Sequence, residues 1–312
     1  MRKNCPICDN SVISEIREKN GFHLMVCRNC KFTFLLEDFD YSKYYNDFYF
    51  KSYYNPKALY GEEEFKEGFD YLSLDYIQRL KYTSVFVFLS KFNNFIDKNY
   101  LDVGCASCVG LEIAQAFGAN VYGVDVSRFA VEACKNRFQN VFIGEIHDLE
   151  DMNINFDLVT MLDVLEHMKD PKREIKVLSN LVNKNGFVFI DNNVYSYKEF
   201  FKNEEYFERN FEPPYHCSYF SEKNLIDLLE NNGFKLIYKK LHIINSFIKI
   251  YSFLKRIFNR KYRMKIEKVK LIVDKRQPLS KDLIRNRNFW ANLLDFLLPS
   301  GYLFRKKVVF IL

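Results

Sequence analysis

The sequence predicts an α/β protein built on an open sheet of parallel strands, with a small cysteine-bearing module ahead of it. Three observations carry this. Residues 99–127 pass from an apolar run to a loop of small residues, a helical pattern and a second apolar run that ends on an acid. Short apolar runs and amphipathic patterns then alternate to residue 238, the rhythm of strands separated by helices. Two CxxC pairs, Cys5/Cys8 and Cys27/Cys30, stand near the N-terminus.

The first run, 100–103, reads as a buried parallel strand. The loop 104–110 (Gly-Cys-Ala-Ser-Cys-Val-Gly) carries little bulk, so a ligand can approach its backbone closely. A helix over 111–117 stops at Gly118, and a second strand over 121–124 ends on Asp125, an acceptor for ribose hydroxyls. Together these make one nucleoside-binding βαβ half.

LDVGCAS with a downstream acid resembles the first motif of the class I S-adenosylmethionine-dependent methyltransferases. The resemblance implies their Rossmann-like, seven-stranded sheet. It also implies that Asp102, Gly104, Cys105 and Ala106 pack against the methionine part of S-adenosylmethionine, while Asp125 holds the ribose with Val126 beside it. Ala106 and Cys108 stand where the commonest form has glycine. Cys108 adds a side chain at a place where φ > 0 is often wanted.

The chain continues in the same pattern. A helix over 128–137 leads to a third strand, 141–143, and then to Glu145 and Ile146. The resemblance gives that pair to the adenine ring; the alternative for Glu145 is a plain surface acid. His147 is expected to face solvent. A fourth strand, 156–160, runs into Leu162, Asp163, Glu166 and His167. This FDLVT…DVLEH…DP segment is similar to the family's fourth-strand motif, which puts Leu162 and Asp163 beside the methionine portion. In relatives the Glu166–His167 pair positions a substrate hydroxyl, takes its proton or ligates a metal. An imidazole titrates near neutrality and suits proton removal; a structural cap is the other reading.

A helix over 172–182 and a fifth strand, 187–190, precede a long loop, 194–219, of the kind that is often functional. It carries an H-x-x-Y-F-S turn resembling the family's, with His216 as a second candidate base or a loop anchor. A helix over 222–232, a strand over 234–238 and an antiparallel last strand over 305–312 complete the sheet.

Four thiolates in two CxxC pairs, eighteen residues apart, suit a structural Zn²⁺ bound by Cys5, Cys8, Cys27 and Cys30. The intervening stretch reads as a hairpin turning at Asn20 and Gly21, with His23 on its surface. A segment this small needs such a staple. A tyrosine-rich stretch, 41–54, and helical patterning over 62–96 follow. Short ribbons followed by such stretches recur in a methyltransferase subgroup of nucleotide-sugar and surface-glycan enzymes, which this layout resembles. The tyrosines serve either as a lid or as packing for the ribbon.

The net charge of +6 sits in one place: residues 255–288 alone carry +10, so the remainder is net −4. That segment lies in a helical insertion, 243–302. The basic amphipathic pattern over 247–288 suits an anionic membrane surface, a polyanionic glycan, the core or a second copy in a homodimer. No motif supports nucleic acid. No run reaches about 18 apolar residues and no signal peptide precedes Cys5, so a cytoplasmic chain is expected, at most peripheral to the membrane. Its eight cysteines are then thiols or metal ligands rather than disulfides.

The expected organisation is a zinc ribbon (1–40), a tyrosine-rich and helical segment (41–96), a methyltransferase core (97–242 and 303–312) and the insertion. The function that the resemblance implies is O-methylation of a sugar or glycan of a bacterial surface polysaccharide. The alternatives are a quinone or other small-molecule O-methyltransferase, or an inactive ribbon scaffold.

Overall fold

The computed structural model describes residues 4–11, 13–38, 75–240 and 301–306. The tyrosine-rich stretch, the start of the 62–96 pattern, the insertion up to residue 300 and residues 307–312 lie outside the described residues.

The N-terminal module is a hairpin of β1 (Ile13–Lys19) and β2 (Phe22–Cys27). Asn20 and Gly21 both take positive φ, 53° and 76°, as the two-residue turn requires. β3 (Thr33–Leu35), which sequence patterning misses because it is so short, pairs with β2.

The main sheet is built from chain-order elements. α1 (Asp75–Leu89) precedes β4 (Asn99–Val103), α2 (Val109–Ala116), β5 (Asn120–Asp125), α3 (Arg128–Lys135) and β6 (Val141–Ile143). After a 3₁₀ helix, Ile146–Met152, come β7 (Phe156–Leu162), a short 3₁₀ turn at Leu165–His167, α4 (Pro171–Leu181) and β8 (Val182–Asp191). α5 (Tyr197–Lys202), α6 (Glu204–Asn210), β9 (Ser218–Tyr219), α7 (Glu222–Asn231), β10 (Phe234–Lys240) and β11 (Gly301–Lys306) follow. The strand order is β10-β11-β8-β7-β4-β5-β6. β8, β7, β4, β5 and β6 are parallel, and β11 runs antiparallel between β8 and β10.

Successive residues of the central strands face opposite layers. Tyr100, Leu158 and Phe189 pack with residues of α1, α2 and α3; Leu101, Val159 and Ile190 pack with residues of α4 and α7. Helix starts are specified locally. Ser127 caps α3, Asp170 followed by Pro171 caps α4, and Ser221 with Asn224 forms a capping box on α7.

Two expectations need correction, and one contact of the ribbon is added. The last described strand begins at Gly301, not at 305, because its register is set by β8, with Tyr302 opposite Ile190 and Arg305 opposite Phe187. The segment 194–219 is not a bare loop: it folds into α5, α6 and β9 around buried Phe200, Phe207, Phe211 and Tyr219. The ribbon does not stand apart either. Its Phe32 and Phe34 belong to the core under α4 and α7, and β3 pairs with β9.

A buried polar cluster links the first two layers. Asp102 Oδ1 accepts from Tyr82 Oη (3.1 Å) and Thr160 Oγ1 (2.6 Å), and Thr160 Oγ1 also lies 2.6 Å from Tyr100 Oη. Burial pushes the Asp102 carboxyl up to about 7. Thr160→Val keeps the shape but removes the hydroxyl, and it is expected to lower stability by about 1–3 kcal/mol. Urea unfolding checks this; an unchanged midpoint would show that the cluster holds nothing.

Candidate active site

The loop after β4 is wound by alternate left-handed residues: Gly104 (φ 69°), Ala106 (φ 47°) and Cys108 (φ 63°). The two departures from glycine thus fall where positive φ is required, and the chain adopts it regardless. At Gly104 the reason is also steric, since a Cβ there would lie 2.5 Å from Val164 Cγ2. Asp125 pins the loop: its Oδ2 accepts from Ala106 N (2.9 Å) and its Oδ1 from Ser127 N (2.8 Å). One carboxylate therefore orients both the loop and the start of α3.

Cys108 and Cys134 are joined as a disulfide, which corrects the expectation of thiols at these two positions. The left-handed turn at Cys108 brings its Cα to 5.9 Å from that of Cys134 on α3, within reach of a bridge.

Gly104, Cys105, Ala106, Asp125, Val126, Glu145, Ile146, Leu162 and Asp163 line one cleft at the carboxyl ends of β4, β5, β6 and β7. Asp102 does not line it. It is fully buried beneath α2, where a Cβ on Gly110 would come within 2.2 Å of its Oδ2. It supports the loop from below, because a strand residue one position earlier than needed points into the layer rather than out of the edge. Sequence reasoning missed Gln78 and Tyr82 of α1, which also line the cleft. A polar residue on an otherwise apolar helix face was the available signal.

At the far end, Glu145 and Asp148 close a capping box on the 3₁₀ helix. His147 is not solvent-facing. Its Nδ1 lies 2.6 Å from Glu174 Oε1, and Glu174 Oε2 accepts from its backbone N–H at 3.1 Å. A buried acid on α4 draws the ring inward.

Of the two candidate histidines, His167 alone lines the cleft, and the Glu166 side chain does not line it. Nδ1 of His167 donates to Tyr215 O at 2.9 Å, which leaves the lone pair of the neutral ring on Nε2. The His216 ring stands edge-on to it, 4.7 Å between centroids, with Nδ1 3.4 Å from Tyr195 Oη. Burial lowers the His167 pKa, and burial plus the neighbouring His167 lowers that of His216 to about 3. Both rings are therefore neutral at pH 7. Glu166 is fully buried and neither carboxylate oxygen has a partner. Burial, then the charge of Asp163, pushes its carboxyl up to about 8. Lys81, also missed from sequence, sits between Asp163 (2.6 Å) and Asp191 (2.9 Å). Burial acts against its charge, but those two carboxylates raise it to about 12.

In the ribbon the Cys5–Cys30 and Cys8–Cys27 sulfurs are each 3.6 Å apart, and all four lie within 4.8 Å of one another. Zn–S bonds of about 2.3 Å in a tetrahedron put sulfurs about 3.8 Å apart, so the donor set fits the metal. The two knuckles match: Asp9 N donates to Cys5 O and Lys31 N to Cys27 O, both at 3.0 Å, and Asp9 and Lys31 share positive φ. His23 takes no part; its Nδ1 lies 2.5 Å from Glu37.

A glycine-type loop over a parallel-sheet edge, an acid closing β5 and a cleft between them define a nucleoside-cofactor α/β enzyme fold. A family model described as a methyltransferase domain matches residues 74–239, more than half of the chain, and the chain belongs to that family. A Coxiella burnetii protein named ubiquinone biosynthesis O-methyltransferase is 33% identical over 98 residues, 30% of this chain and 42% of that protein. The protein of that name from Colwellia psychrerythraea is 32% identical over 106 residues, 31% of this chain and 42% of its own length. The match thus spans under half the length of these relatives. Among solved structures, magnesium protoporphyrin IX methyltransferase from Synechocystis PCC 6803 with bound SAH is 18% identical, covering 64% of this chain and 92% of that one at a TM-score of 0.46. No described helix is long and apolar enough to cross a membrane.

S-adenosylmethionine fits the residues present: the small residues Gly104, Cys105 and Ala106 line the cleft, and Asp125, which lines it too, keeps acceptor capacity. Asp125→Ala removes charge-assisted bonds worth about 1.5–3 kcal/mol and releases the loop, so affinity should fall roughly ten- to a hundredfold. Calorimetry giving an unchanged Kd would place the ribose elsewhere.

Glu166 generates a prediction about stability. Its folded pKa, about 8, lies above the unfolded value. The stability tied to its neutral form is complete below the unfolded pKa and is lost as pH rises through the folded one. The Tm of Glu166→Gln minus that of wild type should therefore grow between pH 5 and pH 8. A difference that is flat or shrinks with pH would show that Glu166 ionises normally.

Proposed function

We propose that this protein methylates a hydroxyl group of a sugar or glycan, of the kind found in bacterial surface polysaccharides. The observation that carries the reading is a pair of neutral imidazoles, His167 lining the cofactor cleft and His216 edge-on to it, next to a buried carboxyl without a hydrogen-bond partner. Bound S-adenosylmethionine supplies an electrophilic methyl group. The chain's part is to align an acceptor oxygen with it and to take that oxygen's proton. Nε2 of His167 is the acceptor for the proton, Tyr215 O stabilising the ring as it charges. Glu166, buried and neutral at pH 7, backs the two histidines, its carboxyl within 4.8 Å of both rings, and Asp191 with Lys81 adds polar groups nearby. A polyol matches that density of polar groups.

A quinol acceptor is the second reading, favoured by the names of the curated relatives. A panel of nucleotide sugars, free sugars and catechols, with S-adenosylhomocysteine release as the readout, separates the two. Calorimetry with S-adenosylmethionine separates both from an inactive scaffold. The ribbon is proposed to hold one Zn²⁺, which metal analysis of freshly purified protein checks.

His167→Ala is expected to lower turnover by about 10²–10⁴-fold with cofactor affinity nearly unchanged, and His216→Ala to cost less. Since burial lowers both imidazole pKa values, the rate should rise with pH through an ionisation below about 6.5. If the single and double variants all turn over normally on the true acceptor, histidine is not the base.

A further inference from the structure

β9 is only two residues long, yet it is bonded on both sides. Toward the ribbon, Ser218 pairs with Phe34 and Tyr219 with Thr33, and Leu35 N donates to Cys217 O at 3.1 Å. Toward the active site, Cys217 N donates to Glu166 O (2.9 Å), Cys217 Sγ to His167 O (3.0 Å) and Ser218 Oγ to Met168 O (2.7 Å). Tyr219 Oη donates to the carbonyl of His216 itself, at 2.7 Å.

The ribbon end of this strap begins at the second cysteine knuckle. Cys27 N donates to Phe32 O at 2.9 Å, so the knuckle fixes where β3 starts. Asn224 Nδ2 on α7 donates to Cys30 O at 2.7 Å, and the Phe32 ring packs 4.8 Å from that of Phe220. Three residues, Phe32, Thr33 and Tyr219, thus link the candidate metal ligand Cys27 to His216.

We infer that the cysteine ribbon is a wall of the acceptor site: its knuckle positions the 215–220 strap and, through it, His216 against His167. This rests on the reading of the site given above, and it makes the ribbon a positioning element rather than a separate recruiting module. Four sulfurs around a cation form a rigid corner that a module of this size does not keep as four free thiols. Removing the metal should therefore loosen the strap while leaving the cofactor loop, which is pinned by Asp125 and makes none of these bonds, as it was.

The test needs no acceptor. Wild-type protein, the same protein treated with a chelator, Cys30→Ser and Asn224→Asp are compared by metal analysis, amide hydrogen exchange, imidazole NMR and S-adenosylmethionine calorimetry. Asn224→Asp keeps the acceptor of the capping box but deletes the donor to Cys30 O, so it breaks the bridge without unfolding the knuckle. Metal loss should speed exchange at 215–220 about tenfold or more and move the His216 ring resonances, with cofactor Kd within about twofold. Returning Zn²⁺ to the chelated protein should restore both. Asn224→Asp should shift the His216 resonances with the metal retained. Unchanged exchange at 215–220 after metal loss would overturn the inference, as would a protein purified without metal whose strap is already protected. Loss of cofactor binding in untreated protein would instead count against the proposed function.

Discussion

The structure turns on carboxylates buried at one edge of a sheet. Asp102, Asp125, Glu166 and Asp191 are each 6% exposed or less, and all stand at or near the carboxyl ends of parallel strands. Taking several anions out of water in one place is expensive, and like charges make it more so. The molecule meets that cost in three ways. Asp125 accepts from two backbone amides, Asp191 pairs with Lys81, and Asp102 and Glu166 keep their protons to unusually high pH. A ligand carrying a sulfonium and an ammonium group suits such an edge, where Asp125 and Asp163 line the cleft.

That constraint also explains why the site's supporting parts come from far apart in the chain. Lys81 reaches in from α1, Tyr82 caps Asp102 from the same helix, and Glu174 on α4 draws in His147. The ribbon joins through β3 and β9, and Arg17 lies 3.6 Å from the Phe207 ring centroid as it pairs with Glu204. These contacts span from 20 residues of sequence (Tyr82 to Asp102) to 190 (Arg17 to Phe207). A buried polar group leaves no choice of partner once the layers pack.

The elements that repeat a local rule were legible in the sequence. Strands β4, β5 and β7 read as apolar runs and Asn20–Gly21 as a hairpin turn. The cofactor-site residues from Asp102 to Asp163 came from motif position, and all but Asp102 line the cleft. What escaped was short or non-local. β3 and β9 have too few residues to show a period, and α5 and α6 hide in a segment whose aromatics mark burial without saying against what.

The sequence by itself determined the βαβ half, the paired spacing of the four N-terminal cysteines and the loop residues that line the cleft. These depend on spacing along the chain, and strand pitch, turn geometry and ligand count are short-range properties. Only the tertiary structure decided that Asp102 supports the loop from beneath, that His147 turns inward, that Cys108 meets Cys134, and that the two histidines stand 4.7 Å apart. Protonation states followed from the same packing, because a pKa is set by the water that packing removes and the charges it brings near.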